Sequence, residues 1–311
     1  MRFYVAGIAA LIVLAAAAAA RAQPAPPPIL VALAPADDAR QAIAIGPSGE
    51  VYEPDGAGAW LRTQRIATAT TLAVVGRAGG AVVANGGGVV YRLARNGWSA
   101  IRLAQHGAAV MSGGIGAVGA INRQLYSLDR LQGGEPAKLA LAPAPVLAIG
   151  GGKAIVVATE RGLYRVDGGS VVPLAHAPKH VARLVSERWA LVATGNSGAV
   201  DLRTGKTTSW PDGATIEVVA PGPDDQLVAV ATIGGALELL TLRGTKLERA
   251  PIGAGATGTA VGVVVDRGGR VVVAFADGRL VVRDGTSHWT LRTVGDAVPK
   301  GRAGPGPSAS K

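Results

Sequence analysis

The stretch Lys153-Ala-Ile-Val-Val-Ala-Thr-Glu-Arg-Gly-Leu-Tyr-Arg-Val-Asp-Gly168 sets the plan of the chain: an apolar run, a Glu-Arg-Gly turn, a Leu-Tyr pair, then Asp-Gly. The plan recurs seven times along the 311 residues. With the apolar residue before the tyrosine as a ruler, the repeats fall at Val51, Val90, Leu125, Leu163, Val200, Leu237 and Leu280, in steps of 39, 35, 38, 37, 37 and 43 residues. Tyr52, Tyr91, Tyr126 and Tyr164 each stand one place after that ruler.

Within the fourth repeat the pattern predicts four strands, 146–149, 153–159, 163–166 and 171–174, joined by glycine-bearing turns. The last repeat follows suit with 261–265, 270–275, 280–283 and 288–291. No window beyond the first 22 residues sustains a 3.6-residue period, so no helix of consequence is expected. Four-stranded units of about 38 residues predict an all-β chain, a seven-bladed β-propeller of four-stranded antiparallel blades over residues 31–295. Six or eight blades would follow if one unit were out of register. An open stack would need atypical polar end repeats, and the first and last units look like the middle ones.

Several units end their third strand in Asp-Gly with an apolar or aromatic residue to follow: Asp55-Gly-Ala-Gly-Ala-Trp60, Asp284-Gly-Thr-Ser-His-Trp289 and Asp167-Gly-Gly-Ser-Val-Val172. Glycine supplies a positive φ and aspartate bonds the turn backbone. These segments resemble degenerate copies of the Asp-box of sialidase-type propellers, with Glu53, Asp55 and Trp60 at its Ser, Asp and Trp places. Ala57 and Ala59 depart from it, as do Val282, Thr286 and His288 in the last copy. Neither the Trp-Asp dipeptide nor the Gly-His pair of the common WD repeat occurs. The resemblance is thus to the propeller superfamily (WD40, YVTN and Asp-box types), of the exported bacterial kind, and to no single family in it. A sialidase-like activity would imply an arginine cluster introduced by Phe-Arg-Ile-Pro. Phe275 is the sole phenylalanine after the first 22 residues, so that activity is not expected.

Met1-Arg2, an apolar run from Phe3 to Ala20 and then Ala20-Arg21-Ala22 match a signal peptide over 1–22, with cleavage expected after Ala22. Retention of that segment as an anchor is the competing expectation; after cleavage no stable membrane insertion is expected. A Pro-rich leader spans 23–30, and the Gly-, Pro- and Lys-bearing residues 296–311 predict a disordered basic tail. With no cysteine there is neither disulfide nor thiolate metal site, which suits a periplasmic or secreted domain whose core needs no staple. Of the formal charge of +10, Arg2 and Arg21 belong to the signal segment and Lys300, Arg302 and Lys311 to the tail, so about +5 remains on the body, spread singly, and specific nucleic-acid binding is not expected.

The repeated aromatics, and Trp189 in a second strand, are expected to pack blade on blade. His176-Ala-Pro-Lys-His180 cannot present both histidines on one helix face, because Pro178 interrupts it; no metal or other cofactor is expected. In a meander the turns between second and third strands share one end of the ring with the connections between units. That end gathers Arg65, His106, Arg123, Arg161, His176 and His180, the candidate binding residues. A non-catalytic exported scaffold binding an envelope protein or anionic polymer is the first expectation. The alternatives are a hydrolase or lyase acting on an anionic glycan, with carboxylates drawn from Glu160, Asp201 or Asp277, and a factor similar to photosystem-assembly propellers. No nucleophile elbow, phosphate loop or metalloprotease motif is present.

Overall fold

Val, Ala, Ile and Leu runs of four to eight residues, cut by glycine at positive φ, fold the described residues into short strands, with one 3-10 turn at Pro223–Asp225. The computed structural model describes residues 30–35, 42–55, 59–65, 72–77, 80–85, 89–94, 97–102, 110–112, 118–132, 135–151, 154–178, 181–192, 197–253, 255–265, 268–285 and 288–295; at 34–35, 64–112 and 129–135 the description covers the main chain only.

The described strands fall into seven consecutive sets of four. The first holds β1 (Ala32–Pro35), β2 (Ala42–Ile45), β3 (Glu50–Pro54) and β4 (Trp60–Arg65). The second holds β5 (Leu72–Arg77), β6 (Gly80–Asn85), β7 (Val89–Ala94) and β8 (Gly97–Arg102). Then come β9 (Val110–Ser112), β10 (Val118–Ile121), β11 (Gln124–Gln132) and β12 (Glu135–Leu141). The fourth set is β13 (Val146–Gly151), β14 (Ile155–Thr159), β15 (Gly162–Asp167) and β16 (Ser170–Pro173). In the fifth are β17 (Arg183–Leu184), β18 (Trp189–Val192), β19 (Gly198–Asp201) and β20 (Thr207–Ser209). The sixth comprises β21 (Thr215–Pro221), β22 (Leu227–Ile233), β23 (Ala236–Arg243) and β24 (Lys246–Pro251). The last comprises β25 (Ala260–Val265), β26 (Val271–Phe275), β27 (Arg279–Arg283) and β28 (Trp289–Gly295).

Every set is an antiparallel meander, and its strands are called a to d in chain order. The a strands adjoin one another: β1 lies beside β5 and β25, β9 beside β5 and β13, β13 beside β17, and β21 beside β25. Buried clusters bridge neighbouring sets. Val156 and Leu163 of the fourth pack on Leu184, Ala190 and Val200 of the fifth. Trp189 and Ala199 of the fifth join Leu227 and Leu240 of the sixth, and Phe275 and Trp289 of the seventh join Val228 and Leu239 of the sixth. Leu280 and Val294 of the seventh pack with Ala44, Tyr52 and Trp60 of the first. The sets therefore close a ring whose core is the series of layers between them.

At the closure, β28 runs parallel to β4, with Val294 opposite Trp60 and Gly295 opposite Leu61, so the first and seventh sets share one eight-stranded sheet. The turn between β26 and β27 receives both ends of the described ring, Leu30 N–H on the Ala276 carbonyl and Val294 N–H on the Gly278 carbonyl. Close approach between a strands requires glycine. A Cβ on Gly262 would stand 2.5 Å from Leu33 Cβ, and one on Gly150 would stand 2.5 Å from the Ser186 carbonyl oxygen.

The expected strand positions hold within two or three residues at most ends, with one shift of register. Leu163 stands four places before the aspartate that ends its strand, whereas Val200 stands one place before Asp201. The ruler slips there because the c strand of the fifth set is shorter, and Ser197 takes the place of Leu163. The first described strand begins at Ala32, and the segments 1–22 and 296–311 lie outside the described residues.

Candidate functional site

The end of the ring that carries the b–c turns and the d–a connections is the upper face. Between the third and fourth sets its loops are tied by the backbone. Asn122, at φ 53, lets the b–c turn close tightly, and Val146 N–H donates to its carbonyl at 2.8 Å. Ala142 N–H donates to the Arg123 carbonyl, and Arg123 Nε–H donates back to the Ala142 carbonyl at 2.8 Å. Arg123 thereby fixes the connection that carries Leu141, while a break in pairing register between Val146 and Ala148 turns Leu147 outward. Leu141 and Leu147 are 58% and 57% exposed. In the next b–c turn Glu160 and Arg161 are exposed, with Arg161 N–H held by Thr159 Oγ1. Two apolar side chains thus stand between the Arg123 turn and the Glu160-Arg161 turn.

The other expected binding residues are distributed differently. Arg65 ends β4 opposite Glu50, at the same face but in the first set. His106 and His180 lie outside the described residues. His176 leaves the upper face for the outer wall, where a Cβ on Gly205, in the c–d turn of the fifth set, would approach its Cβ to 3.2 Å. The carboxylates Glu160, Asp201 and Asp277 are not brought together. Glu160 and Asp277 occupy upper turns of different sets, and Asp201 closes a c strand at the lower face. Asp277 accepts from Arg279 Nε at 2.7 Å, and Arg279 reaches on to the Thr257 carbonyl at 2.6 Å, pinning the connection from the sixth set. Burial pushes the Asp277 carboxyl up, but the Arg279 hydrogen bonds and charge outweigh it and hold it below the usual carboxylate range. Among the described residues no group of three His, Asp or Glu side chains could hold a metal ion, and no helix is long and apolar enough to cross a membrane.

A lower-face network escaped sequence reasoning. Arg188 bonds Asp201 through Nε and Nη2 at 3.0 and 2.8 Å, and its guanidinium lies 5.1 Å from the Trp189 ring centre. Arg203 bridges the buried Glu187 at 3.2 Å and Asp225 at 2.9 Å. Glu187 also accepts from Ala154 N–H in the fourth set, and Trp189 Nε1–H donates to the Asp225 carbonyl in the sixth. The five charged partners, with Trp189, therefore bolt three adjacent sets. Their shared signal in the sequence is only a Glu-Arg pair before a Trp strand and Asp-x-Arg after the next one.

Beside this network, on the outer wall between the fourth and fifth sets, a groove of about 600 Å³ opens. Val156, Val172, Leu174 and Leu202 make its apolar floor, and Arg165, Arg203 and His176 stand at its edge.

No family model matches the chain, and no curated protein matches it. Among solved structures, streptogramin B lyase is similar over 86% of this chain and 95% of its own, at 13% identity and TM-score 0.58. YCF48 from Cyanidioschyzon merolae is similar over 87% and 97%, at 16% and 0.55, and a YCF48 bound to D1 peptide over 86% and 94%, at 13% and 0.51. The WD40 β-propeller domain of Doa1 is similar over 84% and 93%, at 12% and 0.53. Likeness at such low identity concerns fold alone, and it agrees with the closed ring of four-stranded meanders: the chain has the β-propeller fold.

Proposed function

We propose that this propeller is an exported, non-catalytic scaffold that captures a protein or an anionic polymer of the cell envelope on its upper face. The observation that carries the reading is the pair of exposed leucines, Leu141 and Leu147, set between the Arg123 and Arg161 turns. Exposed apolar side chains with a charged border are what a partner surface with an apolar centre and a polar rim requires, and Arg123 and Arg161 supply the groups that an acidic partner would meet. The d–a connection beneath them is held by main-chain bonds, so binding orders little. That one fold neighbour is bound to a peptide supports a propeller in such a role by analogy only.

The test is capture from envelope fractions by the tagged full chain, compared with Leu147→Asp and with the triple reversal Arg65→Glu, Arg123→Glu and Arg161→Glu. Loss of the captured species in both variants is expected. Unchanged capture by both overturns the reading. Export is tested separately: N-terminal sequencing of the periplasmic or secreted product should begin at Gln23.

A further inference from the structure

The first residue of a d strand has a fixed neighbour: the end of the d strand in the preceding set. Trp289 opens β28 and is 6% exposed; its Nε1–H donates to the Pro251 carbonyl at 3.0 Å, at the end of β24. It packs in one cluster with Val228, Leu239 and Ile252 of the sixth set. Trp60 opens β4 in the same register and packs with Val294 near the end of β28. Strand pairing places Thr207 at that position in the fifth set, since Thr207 faces Val200 as Trp289 faces Arg283 and Trp60 faces Pro54. Thr207 is exposed.

The preceding set offers the rest of the indole's surroundings. Leu174 N–H bonds the Leu163 carbonyl as Ile252 N–H bonds the Leu237 carbonyl, so Pro173 and Leu174 correspond to Pro251 and Ile252. Val156 corresponds to Val228, each the second residue of its b strand. These are the residues that floor the groove of about 600 Å³, a size suited to a small ligand or one large side chain with its flanks. At the mouth, Arg165 is 57% and Arg203 46% exposed, while Glu187 is 7% exposed and turned to Ala154 N–H and Arg203. Asp167, 71% exposed, sits 3.8 Å from Arg165, so the two guanidinium groups and two carboxylates of the lining balance, and its apolar floor is what selects a ligand.

We propose that this groove binds the tryptophan side chain of an extended peptide, in the place where the first and seventh blades lodge a tryptophan of their own. The edge of β16, which pairs only with β15, lies alongside for the peptide backbone. The site is separate from the upper face, and neither reading depends on the other.

Labelled peptides with blocked ends, Ser-Gly-Trp-Gly-Ser and its Trp→Ala form, would be titrated onto the full chain by fluorescence anisotropy. The tryptophan peptide should bind at least about tenfold more tightly than the alanine form. Because the charges of the lining balance, its affinity should change little between low and high salt. Thr207→Trp should fill the groove from within, raise the melting temperature and remove binding. Val172→Glu, at a residue 43% exposed, should remove binding with the fold intact and serves if Thr207→Trp does not fold. Equal binding of the tryptophan and alanine peptides, or parental binding by both variants, overturns the proposal. So does N-acetyltryptophan binding as tightly as the peptide, which would make this a small-molecule site.

Discussion

At the scale of single residues, buried polar atoms matter most where they cross from one set to the next. Trp289 loses its bond to the Pro251 carbonyl in Trp289→Phe, with most of the packing kept, so a cost of about 1 kcal/mol in urea unfolding is expected. Trp289→Ala also empties the layer between the sixth and seventh sets and should cost about 3–5 kcal/mol. Asp277 makes a prediction in pH. Its folded pKa lies below the ordinary value, so the pair with Arg279 stabilises fully above about pH 4 and fades as pH falls through the depressed value. Asp277→Asn should therefore be less stable than the parent at neutral pH, and the two melting temperatures should converge in acid. Convergence in alkali instead would contradict the assignment. None of these partnerships was visible beforehand: Trp289 was legible as a packing residue from its repeat position, but a chain one-dimensional in text does not show that Pro251 supplies its acceptor.

At the scale of elements, strands and turns were legible because glycine and aspartate mark most hairpins; Asp167-Gly-Gly-Ser falls where β15 turns into β16. Register was less so. Val200 looked like Leu163 in composition while standing three places out of line, because both faces of β19 are buried, Ala199 against the sixth set and Val200 against the fourth, so apolar character does not show which face a residue takes. The close crossing of a strands was hidden for a different reason: glycine in an apolar run reads as a weak strand until the strand of the next set is laid over it. Gly150→Ala would put a methyl group 2.5 Å from the Ser186 carbonyl oxygen and 2.6 Å from its carbon, both backbone atoms that cannot rotate away. A cost of about 1–3 kcal/mol is expected in denaturant unfolding. Gly253→Ala, whose added methyl meets nothing closer than a 3.8 Å contact with Trp289, is the control and should be near neutral.

At the scale of the molecule, the repeat length alone argued for closure, and the ring confirms the argument through Gly262 against Leu33 and through β28 along β4. The upper face was legible as topology, which placed Arg123 and Arg161 together, but its leucines were not, because exposure at Leu147 comes from a local break in pairing. The groove was legible in principle as the missing aromatic after Asp201. The clasp at the turn between β26 and β27 has a last consequence. Leu30 and Val294 bond two carbonyls only two residues apart, so the chain enters and leaves the described ring at one spot on the upper face. Joining residue 295 to residue 30 through a short glycine-serine bridge and reopening the polypeptide between Gly234 and Gly235 should give a permuted protein with the parental circular dichroism spectrum and one melting transition. A passenger carried on a short linker from residue 30 or residue 295 would then stand over one edge of that face, across the disc from the fourth set.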